Sequence, residues 1–85
     1  MNSLMIRRLI VEALLEVAPE INEAKIDAEA ELREEYDIDS MDFLNFIIAL
    51  KNSCGVSIPE RDYKNFETLN RAVNYLRKKL PSLRS

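Results

Sequence analysis

The sequence predicts an all-α fold: a small four-helix bundle with a long loop between its first and second helices and a short third helix. Three observations predict it. Apolar residues recur at three- and four-residue spacing in three separate stretches. No stretch alternates apolar and polar residues as a half-buried strand does. The only glycine, Gly55, and the prolines Pro19, Pro59 and Pro81 stand at the borders of those stretches, where such residues punctuate helices.

The first helix is expected over Leu4 to Val17. Ile6, Leu9, Ile10, Ala13, Leu14 and Val17 share one face, and Arg7, Arg8, Glu12 and Glu16 fill the other. Pro19 bounds it. From there to Asp39 the chain is polar and acidic, longer than most loops of compact domains; a loop of this length is usually functional or holds a short helix. "AEAELREEY" has the composition for one helical turn or two, with Ile26 and Leu32 as anchors into the core. The second helix is expected to start near Ser40 and to stop at Gly55, because a lone glycine just past a helical run suits the left-handed closing position. The short third helix opens in "IPERDYKNF", where Pro59 suits a first turn. Thr68 caps the last helix, whose stripe is Leu69, Ala72, Val73, Leu76 and Leu80, and Pro81 ends it.

Size and charge narrow the functions open to such a bundle. At 85 residues the chain is read as one domain, 1–85. A domain of this size buries about 60% of its unfolded-chain surface, so its core is modest. Fifteen acidic against twelve basic residues leave a net charge of −3, which weighs against nucleic acid as a partner. The cluster Arg77-Lys78-Lys79 reads as a complement to a helix C-terminus. A single cysteine, Cys54, makes neither an internal disulfide nor a multi-thiolate zinc site. It lies on an apolar arc, which predicts a buried structural thiol with no catalytic part. Charges interrupt the N-terminal apolar residues, against a signal or transit peptide, and no apolar run approaches the length of a membrane span. A cytoplasmic monomer without stable membrane insertion is expected.

The stretch "YDIDSMDFLNF" holds the chemistry. Ser40 stands between Asp39 and Asp42, directly before a strongly apolar helix. A serine nucleophile needs an adjacent base. The chain has no histidine, and Lys51 lies eleven residues on, about 16 Å along a helix. Hydrolytic machinery is absent, and no catalytic residue is assigned. Asp37, Asp39 and Asp42 resemble part of a calcium loop, but where that pattern needs a ligand at its fifth position, glycine at its sixth and glutamate at its twelfth, this chain has Met41, Asp42 and Ile48. No metal site is assigned. The plain alternative is a cap: Asp39 or Ser40 accepts a backbone N–H, and Asp42 adds favourable charge in the first turn. The helix that follows carries two apolar arcs. One is Phe43, Phe46, Ile47, Leu50 and Cys54; the other is Met41, Leu44 and Ile48. Either the bundle buries both, or the second is left as a docking face rimmed by Asn45, Lys51 and Asn52.

"DSMDFLNFIIALKNSCGVSIPERD" followed by "FETLNRAVNYL" resembles the acyl carrier proteins, whose signature is Asp-Ser-Leu or Asp-Ser-Met before an apolar helix ending in a Gly-Val-x-Ile-Pro segment. "RRLIVEAL" resembles the family's first helix, so the likeness spans nearly the whole chain. It implies that Ser40 bears 4′-phosphopantetheine, transferred from coenzyme A by a magnesium-dependent phosphopantetheinyl transferase, with Asp39 and Met41 flanking it. It also implies a thioester-bound cargo and no catalysis by the carrier itself. The implied docking residues are Met41, Asp42, Leu44, Asn45, Ile48, Lys51 and Asn52, and the implied partners are the transferase and enzymes that load and transfer acyl groups. Fatty acyl, hydroxyacyl, polyketide and amino-acyl cargoes all remain open, as does an unmodified helical interaction module that uses Ser40 only as a cap.

Two departures bear on function. Where the family usually has leucine-glycine, this chain has Tyr36-Asp37, and glycine permits backbone angles that aspartate tolerates less well. The family's second helix is rich in glutamate, whereas Asn45, Lys51 and Asn52 stand here. That points to a specialised lipid or fatty-acid-derived pathway with its own partners.

Overall fold

The computed structural model describes residues 2–80, and all of its regular elements are helical. Helix α1 runs Ser3–Val17, α2 is a single turn at Leu32–Glu35, α3 runs Ser40–Cys54 and α4 runs Leu69–Lys79. Two 3-10 segments complete the order, Glu23–Lys25 between α1 and α2, and Glu60–Phe66 between α3 and α4. The long acidic connection therefore folds around one turn of α-helix and one of 3-10 helix. The short third helix forms as 3-10 rather than α.

Helix α1 packs against both α3 and α4. Its buried face is Ile6, Ile10, Val11, Ala13 and Leu14. Val11 lies outside the expected stripe, and Leu9, which lies within it, is not buried. The arc facing two neighbours is wider than a single three-four stripe, so it takes in the residue next to Ile10. Phe43, Phe46, Ile47 and Leu50 of α3 and Leu69, Ala72 and Leu76 of α4 close the core, with Leu80 just beyond. Phe46 and Phe66 meet edge to face with centroids 6.4 Å apart, and Phe66 meets Tyr75 in the same way at 5.1 Å. Emptying such a site by Phe46→Ala costs about 3–5 kcal/mol, a large part of a small domain's stability.

The ends of the helices are set by short-range chemistry. Asn2 caps α1, its Oδ1 accepting the Met5 N–H at 2.9 Å. Thr68 caps α4 through the Arg71 N–H at 3.1 Å. Gly55 closes α3 with φ +72° and donates to the Lys51 carbonyl at 2.8 Å, as the left-handed closing position requires. The basic last turn of α4, Arg77 to Lys79, sits where the dipole favours cations. Pro81, the expected stop of α4, lies outside the described residues.

The acidic connection is strapped down rather than loose. Ile21, Leu32 and Ile38 are buried, while Ile26, the other expected anchor, is only partly covered. The Leu32 N–H donates to the Glu67 carbonyl at 2.7 Å, and the Asn70 N–H to that of Ala28 at 3.1 Å. These bonds tie the connection to the start of α4. Cys54 departs from expectation: it is partly exposed. It is the last residue of α3, next to the glycine where the chain turns away, so neighbours cover only one side.

Candidate functional site

Everything at the start of α3 follows from how the chain enters it. Helix α2 is opened by Glu31, whose carboxylate accepts the N–H groups of Arg33 at 2.7 Å and Glu34 at 3.2 Å. It closes at once: the Tyr36 N–H reaches the Leu32 carbonyl at 3.1 Å, and the Ile38 N–H reaches that of Arg33 at 2.9 Å. A six-to-one bond of this kind needs a left-handed residue just inside it. Asp37 fills that place with φ +55°, the one non-glycine positive φ among the described residues. The departure at Tyr36-Asp37 is thus accommodated: aspartate adopts the angle glycine would adopt freely, as Asn and Asp do more readily than other residues. Tyr36 steadies the turn, its hydroxyl accepting the Asp27 N–H at 3.3 Å.

This tight reversal delivers Asp39 and Ser40 beside Arg33. Asp39 is the cap of α3, its Oδ1 accepting the Asp42 N–H at 2.8 Å while its carbonyl accepts the Phe43 N–H at 2.9 Å. Of the two candidate caps, the aspartate does the capping. Ser40 is the first residue of the helix and is exposed. Its hydroxyl is left for another use, at a helix end whose leading N–H groups have no intrahelical partner. Asp42 adds its carboxylate in the first turn. Asp37, Asp39 and Asp42 do not converge into a group able to hold a metal.

The residue that the sequence did not single out is Arg33. Its Nη2 donates to Ser40 Oγ at 3.0 Å, and its Nε to the Ile38 carbonyl at 3.3 Å. Its guanidinium stands 5.5 Å from the centre of the Phe43 ring. Only the reversal through Asp37 brings a residue seven positions upstream onto the serine, so spacing alone carries no signal of it.

The two apolar arcs of α3 separate cleanly. Phe43, Phe46, Ile47 and Leu50 are buried. Met41, Leu44 and Ile48 are 66%, 41% and 46% exposed, so the bundle does not consume both arcs. Asn45, Lys51 and Asn52 are on the same helix, and all three are exposed. Starting at Ser40, one face of α3 therefore presents a hydroxyl, then an apolar strip, with amides and one cation at its margin. Chemically the site offers an accessible hydroxyl, a guanidinium and leading helix N–H groups, an arrangement suited to an esterified anion.

Comparison with known proteins gives the chain a family context. Residues 6–76 match the family profile described as "Phosphopantetheine attachment site". An acyl carrier protein of Rubrobacter xylanophilus is 28% identical over 75 residues, covering 85% of this chain and 93% of its own. The acyl carrier proteins of two strains of Treponema pallidum are each 29% identical over 77 residues, covering 91% of this chain and 92% of their own.

Proposed function

The chain belongs to the phosphopantetheine-attachment family, that of the acyl carrier proteins, whose prosthetic group is covalent, and on that premise we propose that Ser40 is the attachment residue. The observation that carries the proposal is that Ser40 is exposed at the start of α3 while Asp39, not Ser40, makes the cap. A serine used only as a cap would have its Oγ turned to a backbone N–H. This one has its Oγ turned to a guanidinium.

The residues present fit a phosphodiester. Leading N–H groups and the positive end of the α3 dipole favour an anion, and Arg33 adds a full positive charge beside the ester oxygen. Asp39 and Met41 flank the point of attachment, the first holding the helix start in shape. The prosthetic group, when bound, supplies a terminal thiol that carries acyl groups as thioesters. Ser40 needs no internal base, because the phosphopantetheinyl transferase brings the metal and the proton acceptor. This chain is then a carrier and not an enzyme, working as one carrier domain over residues 1–85.

Partner enzymes are expected to dock on Met41, Leu44 and Ile48, with Asp42, Asn45, Lys51 and Asn52 around them. Exposed apolar residues rimmed by polar ones suit a transient partner face. Asp42 is the one acid on that rim, which supports a dedicated partner in a specialised lipid or fatty-acid-derived pathway; the carrier is read as a cytoplasmic monomer. Among the described residues no helix is long and apolar enough to cross a membrane.

The direct test is intact mass after incubation with coenzyme A and a phosphopantetheinyl transferase. Wild type should gain one phosphopantetheinyl group and Ser40→Ala none, with helicity unchanged. A Ser40→Ala protein that still gained the group would remove Ser40 from the assignment, and a wild type that gained nothing would favour an unmodified interaction module.

A further inference from the structure

We propose that Arg33 binds the phosphodiester of the prosthetic group and so fixes the root of the arm against the start of α3. The inference rests on Ser40 being the attachment residue.

Three features of Arg33 carry it. The first is that an exposed side chain is nevertheless held in place. Its Nε is bonded to the Ile38 carbonyl, its Nη2 to Ser40 Oγ, and its charged plane lies near the Phe43 ring. Phe43 is itself buried, so the guanidinium rests on a fixed surface. The second is that its charge is not neutralised. The ion pairs among the described residues join Arg8 to Glu12 and Glu23, and Arg71 to Glu67; none involves Arg33. This holds although "ELREEY" surrounds it with glutamates in sequence. The third is spare capacity. A guanidinium has five N–H donors. Two are used, at Ile38 and Ser40, so five minus two leaves three.

The chemistry at Ser40 matches these features. Esterification from coenzyme A forms the Oγ–P bond, breaks the pyrophosphate P–O bond with adenosine 3′,5′-bisphosphate as the leaving group, passes the hydroxyl proton to the transferase's acceptor and turns Oγ into a bridging oxygen, a poor acceptor. The negative charge then sits on the non-bridging phosphate oxygens, one bond further out. Arg33 already reaches Oγ and has donors free for those oxygens, in the planar fork that suits phosphate. A cation is also needed there, because Asp39 and Asp42 put two carboxylates at the same helix start. Without Arg33 a new phosphate would meet them with only the helix dipole to offset the repulsion. The short turn α2 and the left-handed Asp37 then have a functional consequence: together they carry a fixed cation to the one atom where an anion is to be attached.

The test uses the full chain, before and after loading from coenzyme A, with loading followed by intact mass. In wild type, the Arg33 Nε–H resonance should move on loading, and high salt should diminish that movement. The phosphorus resonance of loaded wild type should shift with salt. In loaded Arg33→Gln that salt-dependent shift should be lost, together with any rise in Tm on loading, and Arg33→Lys should retain part of both. A mass gain in wild type with no movement of the Arg33 resonance overturns the role of Arg33, and does so even where Arg33→Gln folds poorly or is not loaded. A Ser40-loaded Arg33→Gln whose phosphorus shift and Tm gain match wild type overturns it as well. A wild type that gains no mass overturns the carrier reading itself and this inference with it.

Discussion

Asp37 shows how a single residue can carry a strain that a family usually avoids. Its φ of +55° costs an ordinary L-residue about 1–2 kcal/mol, less for aspartate, whose short polar side chain tolerates the region. Glycine relieves the strain but leaves the unfolded chain freer, which offsets about 0.4–1 kcal/mol of the gain. Asp37→Gly is therefore expected to be neutral to stabilising, by up to about 1 kcal/mol on these figures. Asp37→Val should lose about 1–2 kcal/mol, since a β-branched residue is a true outlier there. Urea midpoints at unchanged m-value measure both, and an Asp37→Val protein as stable as wild type would show that the turn is not held as described. The sequence marked this position as anomalous, because a residue that usually has no Cβ has one here. It held no sign of Arg33, because that contact depends on the sharpness of the turn and not on spacing.

At the scale of elements, what was legible was what local chemistry decides. Caps, the closing glycine and the α4 stripe depend on residues within a few positions of one another, and Thr68, Gly55, Leu69 and Leu76 stand where expected. The covering of Val11, the partial exposure of Cys54 and the 3-10 form of Glu60–Phe66 depend on which neighbours meet across the bundle, so periodicity could not fix them. The cap of α3 offers a sharp comparison. Asp39→Ala removes the bond to the Asp42 N–H and should cost about 1 kcal/mol. Ser40→Ala removes no cap and should stay within about 0.5 kcal/mol. Equal losses in thermal unfolding would return the capping role to Ser40. A second link joins α4 to the preceding 3-10 segment, where the Tyr75 hydroxyl donates to Asp62 Oδ2 at 2.8 Å. Burial, that hydrogen bond and the Asp62 charge push the Tyr75 phenol up from 10.0 to about 12. Because the folded state holds this proton more tightly than the unfolded one, the contribution is complete below pH 10 and is lost as pH rises toward 12. Tyr75→Phe should flatten that part of the stability profile; an unchanged slope would mean that other groups produce it.

For the whole molecule, the question is which partners a carrier with this surface admits. The chain is acidic overall, at −3, yet the margin of its apolar strip is not. Asn45 and Asn52 are neutral and Lys51 is cationic on the helix that exposes Met41, Leu44 and Ile48. The acyl carrier family usually surrounds this strip with glutamates, which meet basic surfaces on the enzymes of general fatty-acid synthesis. Exposed rim charges contribute little affinity each, but they set association rate and reject the wrong partner. Lys51 facing a basic surface is repulsive, so a partner that tolerates or pairs with Lys51 is favoured. Exchanging Asn45, Lys51 and Asn52 for glutamate should speed acylation by general fatty-acid synthase enzymes. The gain should be largest at low ionic strength and fade toward about 1 M salt, where the screening length falls to about 3 Å. The apolar strip must contribute in both proteins, so Leu44→Ala and Ile48→Ala should slow acylation whichever rim is present. The rates to compare are those of wild type and the triple glutamate variant, each first loaded to completion with phosphopantetheine so that transferase preference does not enter. Equal rates at low salt would show that the rim does not select partners, and the protein would then be read as a general fatty-acid carrier.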